Sequence, residues 1–299
     1  MNPQVNWRKV GLFVALTYLV SWAGFYIYLR QGGVWGDSML VAILYMFVPL
    51  AAAVAVQKLM YRQPIIQPLG ISFRLNRWFL VAIILPVILV SLSVAASVLV
   101  PGVNVSTSVE SILERSDYTP EQMAQLRGLF ETTAIHPLWR GLLAGVVAGF
   151  TVNAVAAFGE ELGWRGLMLA ELKPLGFWKA SLVIGFIWGL WHLPAILQGH
   201  NYPENPVVGV FMMILFTTLL SPAFTYVTLK ANSVLAAAVF HGVINGLAGL
   251  SLMVIAGGSD LTVGLAGLAG LSVLAVLNVL IWVAGDVGGL QREQMGTPV

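Results

Sequence analysis

Two adjacent glutamates and an arginine stand in the stretch Phe158-Gly159-Glu160-Glu161-Leu162-Gly163-Trp164-Arg165-Gly166. On a helix, Glu161 and Arg165 are four residues apart and share a face within reach of an ion pair, with the glutamate on the favourable N-terminal side. Glu160 is turned about 100° away and cannot share Arg165 equally. The two roles therefore divide: Glu161 is expected to hold the helix geometry as an ion-pair partner, and the unpaired, desolvated Glu160 is the candidate general base. An inert buried triad is the plainer alternative, although such triads contribute little net stability and apolar replacements often do better.

Two further motifs follow. In Trp188-Gly189-Leu190-Trp191-His192-Leu193-Pro194, Trp188 lies one helical turn before His192, and Pro194 weakens the helix just after it. A lone histidine there is ordinarily a satisfied core residue. His241 and Asn245 are spaced i and i+4, so both face one point with hydrogen-bond donors, while Gly242 and Gly246 allow close approach of another helix. A carboxylate with a histidine can hold and deprotonate water, and two donors on another helix can stabilise the oxyanion of a tetrahedral intermediate. That is the equipment of a peptidase. The chain has no cysteine, and no serine or threonine stands beside these groups in a nucleophile motif, so direct attack by water is preferred over a covalent intermediate.

Positioning these groups is a matter for the bilayer. Only 9% of the 299 residues are charged and 58% are hydrophobic, with a mean hydropathy of +0.86; a soluble chain carries about 25% charge. Runs of about 20 mostly apolar residues predict an all-α polytopic membrane protein with about eight spans, at roughly 10–29, 38–60, 78–100, 139–172, 177–198, 207–229, 232–256 and 262–285. They form one bundle and one membrane-embedded domain, 1–299, with the motifs in a core at 139–256. The first run lacks a small-residue cleavage site and is expected to be retained. The side holding the N-terminus receives ten basic residues (Arg8, Lys9, Lys58, Arg62, Arg74, Arg77, Lys173, Lys179, Lys230, Arg292) and the other four (Arg30, Arg115, Arg127, Arg140). Both termini are therefore expected in the cytoplasm, with the protein in the plasma membrane. A net charge of +2 with no basic stripe excludes nucleic acid as a partner. Membrane lipid and a membrane-associated peptide remain.

Within the long polar connection at roughly 101–138, expected on the outer side, Thr119, Pro120 and Gln122 predict a capped amphipathic helix carrying Met123, Leu126 and Phe130. The fourth run, about 52 Å long if straight, is expected to bend after Arg165. Counting residues from the span ends puts the site between the midplane and the cytoplasmic face, with substrate arriving from the lipid or the cytoplasm. His136 and His200 read as solvated loop histidines and receive no role.

The three motifs, Glu160-Glu161-x-x-x-Arg165, Trp188-x-x-x-His192 and His241-x-x-x-Asn245, resemble those of the type II CAAX prenyl endopeptidases and their bacterial relatives, the CPBP (CAAX protease and bacteriocin-processing, or Abi) intramembrane proteases. The resemblance covers roughly 158–245, with Trp188 where the family often has Phe. It implies endoproteolysis of a membrane-associated substrate, CAAX-like or a bacteriocin leader, with Glu160 and His192 activating water and His241 and Asn245 forming the oxyanion site. Glu160, His192 and His241 would equally serve as ligands for catalytic zinc, with Glu161 as base. The metal-free form, requiring no cofactor, is preferred because Asn245 beside His241 suits oxyanion donation better than a zinc second shell, which uses a carboxylate or carbonyl acceptor. A transporter would also keep Glu and His at mid-membrane, but its halves commonly repeat, and here the ionisable groups sit in the fourth, fifth and seventh runs only. A non-catalytic immunity or scaffold protein would tolerate loss of Glu160.

Overall fold

The computed structural model describes residues 4–114, 119–131 and 135–284. Arg115 and Arg292, which entered the count of basic residues, lie outside these residues. The helices are α1 (Trp7–Arg30), α2 (Met39–Val54, prolonged by a π stretch Ala55–Met60), α3 (Arg77–Ser97), α4 (Val109–Glu114), α5 (Pro120–Glu131), α6 (Pro137–Phe150) and α7 (Val152–Glu161, prolonged by a π stretch Leu162–Met168). They continue with α8 (Leu169–Leu172), α9 (Phe177–Trp191), α10 (Leu193–Leu197), α11 (Pro206–Ala231), α12 (Val234–Val254) and α13 (Leu268–Val283). One antiparallel pair, β1 (Asn104–Val105) with β2 (Ile255–Ala256), ties the connection after α3 to the end of α12.

The starts of the helices follow from their capping residues. Asn6, Ser38, Asn76 and Ser233 accept hydrogen bonds from the first turns of α1, α2, α3 and α12, satisfying amides that would otherwise be orphaned. Asn232, in the left-handed region at φ 50°, closes α11. The capped helix expected in the outer connection is present: Thr119 and Gln122 exchange hydrogen bonds at 2.9 and 3.3 Å, and Met123, Leu126 and Phe130 are its half-buried stripe.

The protein is a polytopic all-α membrane protein. All eight expected runs are helical, but length and composition qualify five helices to cross a membrane, or six if the bent pair Pro137–Phe150 and Val152–Leu175 is one span. The helices Phe177–Trp191 and Leu268–Val283 are apolar but shorter, so eight spans are not established. The bend in the fourth run also departs from expectation. It falls before the motif, at Thr151, where the axis turns by 48°. There the Thr151 hydroxyl bonds back to the Val147 carbonyl at 2.6 Å, replacing a ladder bond of the helix.

The bundle has two distinct ends. At one, the Lys9 ammonium reaches Gln63 at 2.7 Å and Glu171 at 2.6 Å, and Ser233 donates to the Ser72 carbonyl at 2.6 Å, which gathers the start of α1 with α8 and with the α2–α3 and α11–α12 connections. At the other, Asp260 accepts from the Glu204 and Asn205 amides and the Tyr202 hydroxyl donates to the Ala266 carbonyl, joining the α10–α11 and α12–α13 connections.

Helix α12 crosses α6 and α7 at backbone distance, as its glycines predict. A Cβ on Gly246 would lie 2.2 Å from the Gly145 carbonyl oxygen, whereas one on Gly249 would meet nothing within 4 Å. Gly246→Val is therefore expected to cost at the upper end of about 1–3 kcal/mol. It should lower the thermal midpoint and monodisperse yield in detergent, while Gly249→Ala leaves both unchanged.

Candidate functional site

Glu160 and Glu161 close α7 where it widens into the π stretch, a deformation that recurs at functional sites. Both are buried, at 3% and 0% exposure, and their partners differ. The Glu161 carboxylate accepts from the Arg165 guanidinium at 3.2 and 3.1 Å, the i,i+4 pair that the spacing predicts, and lies 2.8 Å from His241 Nδ1. Arg165 also donates to Ser221 Oγ at 3.3 Å and lies over the rings of Phe224 and Trp188 at 4.2 and 4.6 Å. Glu160 takes no part in this pairing. Its Oε2 accepts from the Trp188 indole N–H at 2.7 Å.

Trp188 serves both neighbours. Its backbone carbonyl lies 2.8 Å from His192 Nδ1, and since a carbonyl only accepts, that nitrogen carries the proton and Nε2 keeps its lone pair. The ring of His192 meets the Trp191 ring edge-on at 4.9 Å, just where α9 ends. His241 is wedged between Trp188 and Phe224, with centroids at 5.4 and 5.6 Å.

A cavity of about 840 Å³ has Glu160, Trp188, His192, His241 and Asn245 in its wall. Asn245 is exposed in that wall and makes no hydrogen bond among the described residues. The three motifs thus meet in one place, with Glu161 and Arg165 behind them.

Several features differ from the sequence reading. His241 and Asn245 were expected to be equivalent neutral donors, but His241 is bound to Glu161 through Nδ1. With Nδ1–H given to that carboxylate, its Nε2 donates only when the ring is an imidazolium. Each histidine has an oxygen acceptor behind its Nδ1, Glu161 for His241 and the Trp188 carbonyl for His192. Among the described residues no group of three or more His, Asp or Glu side chains gathers in the way that metal sites commonly show. His200 is not simply solvated: it lines the same cavity, packs edge-on to Trp35 at 5.3 Å, and desolvation pulls its pKa down to about 4. His136 caps α6 by accepting from the Leu138 amide at 3.2 Å. Ser221 and Phe224 escaped notice as ordinary members of an apolar run. The signal available was spacing, since Thr217, Ser221 and Thr225 recur every four residues and are fully buried.

Fold and site together define a helical membrane protein with an ionisable cluster opening on an internal cavity. Residues 135–247 match the family described as type II CAAX prenyl endopeptidase Rce1-like. The chain is also 33% identical over 100 residues to CAAX prenyl protease 2 of Methanococcus maripaludis, an alignment covering 30% of this chain and 36% of that protein. The chain thus spans about a third of the length of the curated relative it matches. Through this segment the chain is similar to the CPBP/Rce1-like proteins.

Arg165→Met removes the cation and leaves Glu161 buried with His241 as its remaining partner. Breaking a buried ion pair by removing one partner costs about 3–5 kcal/mol. The expected result is a sharp fall in folded yield and thermal midpoint in detergent, larger than for Ser221→Ala, which removes one 3.3 Å hydrogen bond.

Proposed function

We propose that the protein is an intramembrane endopeptidase that hydrolyses a peptide bond of a membrane-associated substrate by direct attack of water. The supporting observation is the cavity wall itself, where a carboxylate outside the ion pair, a histidine with a bare Nε2, and a second histidine with an amide face the same space. In this reading Glu160 takes the proton from water as the oxygen adds to the scissile carbonyl carbon, and His192 Nε2 accepts from the same water. The oxyanion is met by Asn245 Nδ2 and by the imidazolium Nε2–H of His241. Collapse of the intermediate breaks the C–N bond, and the proton passes from Glu160 to the leaving amine. Glu161 and Arg165 act through His241 and the helix geometry, and Trp188 fixes both Glu160 and His192. The protein lies in the plasma membrane with both termini in the cytoplasm, as the basic residues indicate.

The second shells of the two histidines are of the kind that zinc ligands have, and this favours a zinc-dependent version. A chelator distinguishes the two. Unchanged turnover in 1,10-phenanthroline supports the water mechanism, whereas loss with rescue by zinc and stoichiometric bound metal supports zinc.

Glu160→Ala, His192→Ala and His241→Ala should each lower cleavage by at least about 10²-fold, the scale of a lost general acid or base, with size-exclusion profiles unchanged. The substrate can be sought by comparing peptide termini in membranes carrying the wild-type protein and Glu160→Ala. A peptide that accumulates uncut identifies it. Full cleavage by a variant removes that residue from the mechanism, and no difference in termini supports the immunity or scaffold reading.

A further inference from the structure

The cavity that holds Glu160 reaches one end of the bundle only. Beyond the motif residues, its wall is formed by Trp35 before α2, Asn201 and Glu204 between α10 and α11, and Ser259 and Asp260 after β2. These residues belong to the α1–α2, α10–α11 and α12–α13 connections. The α2–α3, α8–α9 and α11–α12 connections are at the other end, where a second cavity of about 930 Å³ is lined by Arg74, Lys173 and Lys230. Helix α11 joins the two, running from Pro206 beside the first cavity to Ala231 beside the second, about 39 Å at 1.5 Å per residue.

The two ends differ in charge. Among its lining residues the motif-bearing cavity has three carboxylates, Glu160, Glu204 and Asp260, and no Lys or Arg. Its outermost histidine, His200, is held to about 4 and adds no positive charge at neutral pH. The other cavity has three basic side chains and no carboxylate among its lining residues. Lys and Arg collect on the cytoplasmic side of a membrane protein, so the basic end is the cytoplasmic one and the mouth of the carboxylate cavity lies on the far face. This departs from the expected approach through the cytoplasm, which followed from counting residues along spans without knowing where the cavity opened.

A peptide bearing a free C-terminal carboxylate near its scissile bond would bring like charge towards Glu204 and Asp260, in a cleft whose low-dielectric walls strengthen the repulsion. An internal or N-terminal segment with neutral or basic flanks meets no such barrier. We propose that the substrate is an extracytoplasmic segment of a membrane-anchored polypeptide, neutral or basic around the scissile bond, which reaches Glu160 through the mouth formed by the α1–α2, α10–α11 and α12–α13 connections. This rests on the endopeptidase reading and on the cytoplasmic placement of the termini.

Because the chain has no cysteine, a single introduced thiol reports on one place. Ser259→Cys lies at the mouth and Ser72→Cys at the basic cavity. A bulky maleimide that does not cross membranes, applied to spheroplasts, should label Ser259→Cys and stop cleavage. It should reach Ser72→Cys only after permeabilisation, without loss of cleavage. Labelling of Ser72→Cys from outside, with Ser259→Cys protected, overturns the proposal, as does full cleavage after complete labelling of Ser259→Cys. In detergent, quenched peptides with Lys beside the scissile bond should exceed Glu-bearing ones in kcat/KM by about two- to fivefold, the size of one screened charge pair, and Glu204→Gln should narrow the ratio. Equal rates in the wild type overturn the charge preference. Glu160→Ala separates the two readings: if that variant still cleaves, the catalytic assignment fails while the labelling pattern stands.

Discussion

A carboxylate carried into the interior of a membrane protein must have its lone pairs occupied or it costs several kcal/mol. Glu161 meets that constraint with a guanidinium from its own helix and an imidazole from α12, at 3.1 and 2.8 Å. Much of the core is arranged around this junction. Arg165 reaches Glu161 across one turn of the π stretch, and its remaining surface is taken up by Ser221 and Phe224 of α11 and by the ring of Trp188 of α9. One buried anion thus ties the α7 segment to α12 directly and to α9 and α11 through its cation. Since breaking such a cluster is more costly than never forming it, the cluster fixes a relative placement of helices more than it contributes net stability.

Close packing makes this placement attainable. The glycines of α6 and α12 let the two backbones touch, with the Gly145 oxygen where a Cβ on Gly246 would stand. In lipid there is little hydrophobic force between helices, so contact at this distance supplies dispersion that apolar surface alone does not. His241 lies one turn before Asn245 on the same helix and is carried to Glu161 by that contact. The glycines and the ionisable groups of α12 therefore serve one geometry.

Much of this was legible in the sequence, and the part that was not has a physical cause. The Glu161–Arg165 pair, the separate fate of Glu160, the edge-on contact of Trp188 with His192, the close-packed glycines and the capped helix at Thr119 all depend on spacings within one helix, where periodicity determines which residues are neighbours. The Glu161–His241 bond joins residues 80 apart in sequence, and the indole bond from Trp188 to Glu160 joins residues 28 apart. No local pattern encodes either. The position of the bend was missed because run length was taken to govern where the fourth segment turns, whereas the Thr151 hydroxyl does so by competing for a helical carbonyl. His200 was misplaced because a loop residue can fold back over a cavity that only the tertiary structure creates.

Two carboxylates adjacent in sequence have come to occupy different environments, and the difference follows from helix rotation. A step of about 100° takes Glu161 towards Arg165 and His241 and leaves Glu160 against the cavity with the Trp188 indole as its donor. An indole N–H is a neutral donor, so it can orient a carboxylate without neutralising it. Such a donor fixes the direction of the carboxylate without taking it into the ion pair that holds Glu161. Placing the arginine four residues from Glu161, and so off the face of Glu160, is what keeps the second glutamate available. The Glu-Glu-x-x-x-Arg spacing is in this sense a device for pairing one carboxylate and sparing its neighbour.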